Sequence, residues 1–348
     1  MFKAEFFDTQ FGFVDRHPVP DSLELQVDYL TMEATTITVP GTSKVEKGNY
    51  VHIDGNYNFD GIVSDVKPKD KTTDISVRPL QAIFDVEIFT KEFSDVADFI
   101  YSEGIATLVE NSDILQNIPL VLTNMAHAAE RPVSVTETKV NILNLMYTAL
   151  TTYRIAVDCK LDMKQKYIVA NIQQVTDEKT IEAGLPNVIS KEFTIGDNYG
   201  NFNKALIKKI VKDEETGTVI LSDAVPFFLH TDGTVSDADT DRIVPVYQTV
   251  EMLDDCEDWN VQALGRATEL LAGAKYNNEI VLKYRYSDRI VHPANMKIGT
   301  DVTVYFNSTK YKSILSGYLV IKETISLIFG TVREELTKKI ILDRRKKL

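Results

Sequence analysis

The side chains that could do chemistry are few and scattered. The histidines are His17, His52, His127, His230 and His292, and none has another His three to five residues away. A helical zinc site needs two ligands on one face, as in His-Glu-x-x-His, and that spacing is missing. His127 follows an apolar segment and reads as a structural histidine. The segment Asp232 to Asp241 invites a calcium reading, because Asp237, Asp239 and Asp241 have the one-three-five spacing of a calcium loop. Arg242 then stands where the turn glycine belongs, and Gln248 where the bidentate Glu belongs. A solvated acidic loop fits better, with Asp232-Gly233 as a hairpin turn; weak metal binding there stays open. Acid pairs occur at Asp254-Asp255, Glu257-Asp258 and Glu334-Glu335, but acids are abundant throughout. Glu257 and Asp258 suit the positive end of a helix without any catalysis. No Ser-nucleophile elbow, phosphate loop or dinucleotide fingerprint is present. The sequence therefore assigns no catalytic residue, no cofactor and no metal ligand.

Composition narrows the class. The chain has 348 residues, with 51 Asp+Glu against 38 Lys+Arg, a net charge of -13. That balance argues against gripping nucleic acid by its phosphates, which takes clustered cations. With 44% hydrophobic residues the chain can build a sizeable core, and its length suggests several domains. The start, Met1 to Glu5, carries one cation but no apolar run, so no secretory signal is expected. Apolar stretches such as Ile325 to Val332 are far too short to span a bilayer. Cys159 and Cys256 read as reduced thiols of a protein made in the cytoplasm.

The elements that must position these residues are mostly strands. Leu25, Val27 and Tyr29 alternate with polar residues, as do Val51 and Ile53, and Ile75 and Val77. Turn signals at Val39-Pro40-Gly41, Asp54-Gly55-Asn56 and Lys67 to Asp74 separate them. A first β-barrel domain over 1–90 is expected. From 91 to 195 an α+β domain is expected. Ser94 would cap a helix from Asp95 to about Glu110, and Thr138 a second with Val140, Leu143, Met146, Leu150 and Tyr153 inward. The runs at Ile155 to Leu161 and Ile168 to Ile172 could form a hairpin. A second β-barrel domain over 196–335 would carry an inserted helix, 257–274, with Asp258 as a possible N-cap. Its strands would include Ile280 to Tyr286, Val302 to Phe306, Ile314 to Ile321 and Thr324 to Phe329. Residues 336–348 form a basic tail, with six Lys or Arg between Lys338 and Lys347.

A faint internal repeat links the two ends. Gly48-x-x-Val51-x-Ile53 is echoed by Gly299-x-x-Val302-x-Val304. Phe59-x-Gly61-Ile62-Val63 is echoed by Tyr311-x-Ser313-Ile314-Leu315, and Ile75-x-Val77 by Ile325-x-Leu327. The offsets are 251 (299 − 48), 252 (313 − 61) and 250 (327 − 77). A near-constant offset predicts two similar barrels, one near each end, with α+β material between.

Three stretches carry a resemblance. They are Asn56 to Val66 with Ile75-Ser-Val-Arg-Pro-Leu80; Phe202-Asn-Lys204 with Leu229-His-Thr-Asp-Gly233; and Ile298 to Val304, Tyr311-Lys-Ser313, Ile325 to Gly330 and Val332 to Ile340. The whole resembles the tail-associated hub proteins at the tail tip of long-tailed phages and prophages, themselves similar to the central baseplate hub of contractile phages. The resemblance implies a predominantly β, α+β fold with two similar β-barrel domains, and a homotrimer whose six barrels stack on a six-fold distal tail ring protein. It also implies a virion tail-tip location after assembly in the bacterial cytoplasm, with the tape-measure protein and receptor-binding proteins as partners. The hub would close the tube, then open for DNA, which passes only in transit; an acidic lumen would not hold it back. Ending at Leu348, the chain would be either a hub alone or a hub without its C-terminal extension. The competing classes are a cell-wall carbohydrate-binding receptor module, for which the single Trp259 is the weakest point, and a peptidoglycan hydrolase built on paired carboxylates or on Cys159 or Cys256.

Overall fold

The computed structural model describes residues 2–20, 23–54, 59–89, 93–110, 119–126, 130–133, 138–195, 202–212, 219–230, 234–244, 246–272, 276–288, 296–333, 338 and 340–341. The chain is mostly β, 52% strand against 17% helix. Along the N-terminal part run β1 (Phe2–Phe7), β2 (Phe13–Val19), β3 (Glu24–Asp28), β4 (Thr35–Pro40), β5 (Tyr50–Asp54), β6 (Phe59–Pro68) and β7 (Thr72–Pro79). The middle holds β8 (Glu87–Phe89), β9 (Leu120–Asn124), β10 (Lys139–Asn141), β11 (Ile155–Asp162), β12 (Tyr167–Gln174), β13 (Glu178–Glu182) and β14 (Val188–Ile195). Then come β15 (Lys204–Lys212), β16 (Val219–Leu221), β17 (Val225–Leu229), β18 (Val235–Ser236) and β19 (Gln248–Asp254). The last four are β20 (Asn278–Arg285), β21 (Asp301–Phe306), β22 (Thr309–Ile321) and β23 (Thr324–Phe329).

Six of the first seven strands form one antiparallel sheet in the order β2-β1-β5-β6-β7-β4. The C-terminal sheet runs β13-β21-β22-β23-β20-β14. It is completed from the other end of the sequence: β3 pairs antiparallel with β22, Val27 opposite Tyr318 and Leu25 opposite Val320. Leu25 and Val27 thus alternate as expected but lie in the C-terminal sheet. Alternation reports that a strand has a buried face, not which sheet it joins. Likewise β13 and β14, expected in the middle domain, belong to the C-terminal sheet. The inward faces of both sheets form one contiguous core that includes Phe6, Ile37, Ile53, Val77, Leu282, Val302, Leu327 and Phe329. Both sheets are open in their hydrogen bonding among the described residues.

The repeat is visible in backbone chemistry. Gly48 (φ +91°) and Gly299 (φ +94°) each occupy the left-handed region that favours glycine. Gly48 N–H donates to Val63 O at 2.8 Å and Val63 N–H to Asn49 O at 2.8 Å. Gly299 N–H donates to Leu315 O at 2.8 Å and Leu315 N–H to Thr300 O at 2.9 Å. Each long strand then shifts register, between Val63 and Asp65 in β6 and between Leu315 and Gly317 in β22. The pairing also corrects one register. Val63 lies opposite Val77 and Leu315 opposite Phe329, so the partner of Ile75-x-Val77 is Leu327-x-Phe329, at an offset of 252 (329 − 77). Alternating strands hide slips of two, because every second residue looks alike.

Between the sheets in sequence sits an α+β unit. The hairpin β11–β12 forms as expected, and β9 adds in parallel to β12. The helix Val96–Gly104 continues as a π-turn, Ile105–Glu110, and its cap is Asp95, whose carboxylate accepts from Asp98 N–H at 2.9 Å, not Ser94. The helix Ile142–Tyr153 is capped by Asn141, not Thr138, because Val140 is spent in the short pairing of β10 with β8. This helix is buried on nearly every side, as a helix apolar around its circumference must be.

The region 204–272 forms a further unit. β15 pairs with β19 on one edge and with β17 and β16 on the other. The helix Trp259–Ala272 covers one face, and Ala205, Ile207, Phe227, Leu253, Trp259, Ala263, Ala267 and Leu271 make a separate core.

Candidate functional site

Three of the five histidines lie among the described residues, and each ties backbone segments together. On β2, His17 Nε2 lies 3.1 Å from Ser43 Oγ and 3.0 Å from Asp15 Oδ2. Ser43 Oγ itself donates to Asp15 at 3.1 Å. A nucleophilic triad needs the carboxylate on one ring nitrogen and the hydroxyl on the other. Here both meet the same nitrogen, and Lys44 N–H also donates to Asp15 at 3.2 Å, so the cluster pins the 43–45 turn onto β2. His230 is buried, with Nδ1 2.8 Å from Thr240 O and Nε2 2.8 Å from Ser236 Oγ. It closes the acidic loop from inside. Among the described residues no group of three His, Cys, Asp or Glu side chains is arranged to hold a metal ion. Asp232-Gly233, His127 and His292 lie outside the described residues, as does most of the 336–348 tail.

His52 is different, because its cluster joins two units. Its Nδ1 is 2.7 Å from Asp60 Oδ1, across β5 and β6. The other oxygen of Asp60 accepts from Leu161 N–H at 2.9 Å, on the outer edge of β11. Four residues earlier, Val157 N–H donates to the Tyr29 hydroxyl at 2.8 Å. The edge of the central hairpin is thus satisfied by side chains of the N-terminal region, which keeps it from recruiting another strand. The hydrogen bond to Asp60 holds the His52 imidazolium above its ordinary range, against partial burial. Nearby, burial raises the Asp158 carboxyl, with Lys160 and Lys297 opposing.

The deepest charges tie the ends of the chain. Arg333 and Asp28 are fully buried and bidentate, Nε to Oδ2 at 2.9 Å and Nη2 to Oδ1 at 3.0 Å. Arg333 also donates to Ser316 Oγ at 2.9 Å and to Val332 O at 2.7 Å. Burial pushes the Asp28 carboxyl up, but the Arg333 guanidinium overrides it and holds it below the ordinary range. A second buried pair, Arg131 Nε to Asp95 Oδ2 at 2.6 Å, secures the helix cap in the central unit. At the junction with the C-terminal sheet, Arg154 (φ +60°) ends the helix Ile142–Tyr153 and donates to Asp177 O at 2.6 Å. Arg333–Asp28 and Arg131–Asp95 are buried structural ion pairs, and Arg154 fastens the helix end to a backbone carbonyl.

Two residues behind the competing readings, Cys159 of the hydrolase and Trp259 of the carbohydrate-binding module, are also buried. Burial pushes the Cys159 thiol well above its ordinary range, so it holds little thiolate. Trp259 is buried in the core of the 204–272 unit with Lys209 over its ring at 5.4 Å. It is therefore not a sugar-stacking platform.

What remains as functional surface are two faces that sequence reasoning passed over. On the 204–272 sheet, the side away from the helix presents Lys204, Leu206, Lys208 and Ile210 of β15 beside Gln248, Val250, Met252 and Asp254 of β19 and Leu221 of β16. Val250 is 70% exposed, Met252 56% and Leu221 48%. On the central unit, Asp98, Tyr101, Val109 and Glu110 are exposed along the first helix and its π-turn. The signal was in the sequence: 202–212 holds four lysines and no acid, and 93–110 holds four acids and no cation. Chain-wide charge totals average that asymmetry away.

No family model and no curated protein sequence matches the chain. Solved structures do. A prophage tail protein from Listeria monocytogenes aligns over 99% of this chain and 98% of its own, with a TM-score of 0.54 at 10% identity. The tail protein from Neisseria meningitidis aligns over 97% and 98%, with a TM-score of 0.53 at 10% identity. The 43 kDa tail protein of prophage MuSo2 from Shewanella oneidensis aligns over 95% and 98%, with a TM-score of 0.52 at 12% identity. The chain has the fold of phage and prophage tail proteins, end to end.

Proposed function

We propose that this chain is a structural component of a phage or prophage tail: a homotrimeric hub at the tail tip that closes the tube and joins it to the distal tail ring. The observation that carries the reading is the strand module present twice, with matching glycine turns, hydrogen bonds and register shifts about 252 residues apart. A trimer would present six such modules, and six similar surfaces are what a six-fold ring can engage alike. In this reading the two open sheets, β2-β1-β5-β6-β7-β4 and β13-β21-β22-β23-β20-β14 with β3, serve as the barrel-like halves, and the central α+β unit and the 204–272 unit project from them. The hub performs no bond-breaking step. It acts by assembly and by opening for DNA and the tape-measure protein, in a virion put together in the bacterial cytoplasm. Receptor-binding proteins would attach around it, and its acidic surface would let DNA slide past.

Light scattering coupled to size exclusion tests this. A mass three times 39.2 kDa supports the reading. A monomer at every concentration, also in the presence of a distal tail ring protein, refutes it. Clearing of Gram-positive cell walls in a zymogram would establish a hydrolase instead.

A further inference from the structure

The two uncovered faces of opposite charge invite a question about how copies meet. Their geometry suits a head-to-tail contact. The helix Trp259–Ala272 lies between its sheet and the buried helix Ile142–Tyr153, so the open sheet face points away from that central helix. The helix Val96–Gly104 packs on the same central helix with its buried side, so Asp98 and Tyr101 also point away from it. One chain therefore displays two separate outward faces that cannot meet each other. A contact between different patches on successive copies is heterologous, the kind that forms a ring when its rotation closes.

We infer that the open, cationic face of the 204–254 sheet docks on the acidic helical face of 96–110 in a second copy of this chain. The chemistry on each side matches. Lys204 and Lys208 flank exposed Val250 and Met252 on one side; Asp98 and Glu110 flank exposed Tyr101 and Val109 on the other. β19 is paired only with β15 among the described residues, so it is an open edge with two large apolar side chains. Natural edges of this kind are usually blunted or covered. A second copy supplies the cover, and a chain of net charge -13 has acidic surface to offer a strand with four lysines between 204 and 212. The other face of β15 is already neutralised, since Lys209 pairs with Asp255 at 2.8 Å.

This inference rests on the self-associating hub reading, and the test separates the two. Self-association of the full chain is measured by sedimentation for the wild type, Lys208→Glu, Glu110→Lys and the double variant. Each single reversal should weaken association by about tenfold or more, and the double variant should restore it, because charge pairing across an interface is reciprocal. Val250→Asp should weaken it without rescue by Glu110→Lys. A wild-type trimer untouched by either single reversal overturns this contact and leaves the hub reading standing. A wild type monomeric at every concentration, also with a distal tail ring protein present, removes both.

Discussion

The two strand modules share a backbone plan but are held differently, and the difference shows what each end of the chain is for. The first module, β5 to β7, shares the buried core through Val51, Ile53 and Val77 and adds half-exposed polar contacts such as His52–Asp60–Leu161. The second, β21 to β23, is locked by a fully buried charge pair and by a strand borrowed from the first thirty residues. Where the first module runs on through Arg78 and Pro79, the second turns at Gly330 (φ +90°), whose Cβ position would lie 1.8 Å from Asn278 O. Equivalent positions thus continue the strand in one module and end it in the other, depending on what is packed against them.

The largest effect expected from breaking this contrast is at the buried pair. Arg333→Met leaves the Asp28 carboxylate uncompensated in the core and should cost about 3–5 kcal/mol, measured by denaturant unfolding. Asp28→Leu combined with Arg333→Met should recover most of that loss; if the double variant is worse than the single one, the pair is not acting as a unit. Because Asp28 is held below its ordinary range, its stabilisation is present above that range and is lost as pH falls through the lowered value.

The two glycine turns come next. Gly299→Ala meets Val175 and Leu150 at 3.0–3.3 Å, whereas Gly48→Ala meets nothing within 4 Å. Both substitutions pay about 1–2 kcal/mol for left-handed backbone, so Gly299→Ala should be the more damaging by the cost of crowding. Equal losses in melting experiments would mean that Val175 and Leu150 yield freely.

The smallest effect is at His52. Its imidazolium is stabilised in the fold by Asp60, so that contribution is full below the ordinary histidine range and fades as pH rises through the elevated value. His52→Gln should flatten the stability profile near and above neutral pH by under about 1 kcal/mol, since the pair is partly solvated. A profile unchanged by the substitution would show that Leu161 N–H, not His52, anchors Asp60.

Much of this was legible in sequence. The strands at 280–286, 302–306 and 324–329, the β11–β12 hairpin and the helix expected over 257–274, described over Trp259–Ala272, follow from period-two and helical spacing, which report local geometry. The glycine at the head of each module was legible too, because only a residue without Cβ adopts that φ cheaply. The caps were off by one or three residues, since Ser94 and Asp95, or Thr138 and Asn141, differ only in which oxygen reaches the free N–H.

The candidate surfaces were harder. Val250 and Met252 look like the outward half of any alternating strand; only the register against Leu206 and Lys208 shows that they form one uncovered face. Sequence by itself determined the mostly β character, the acidic balance and the duplicated turn, because each depends on residues close together in the chain. The tertiary structure decided that β3 joins a sheet some three hundred residues away and that Asp28 meets Arg333. It also decided that 204–272 packs as a unit with a core of its own. Those outcomes depend on which buried surfaces find each other, and alternation along a single strand carries no record of its partner.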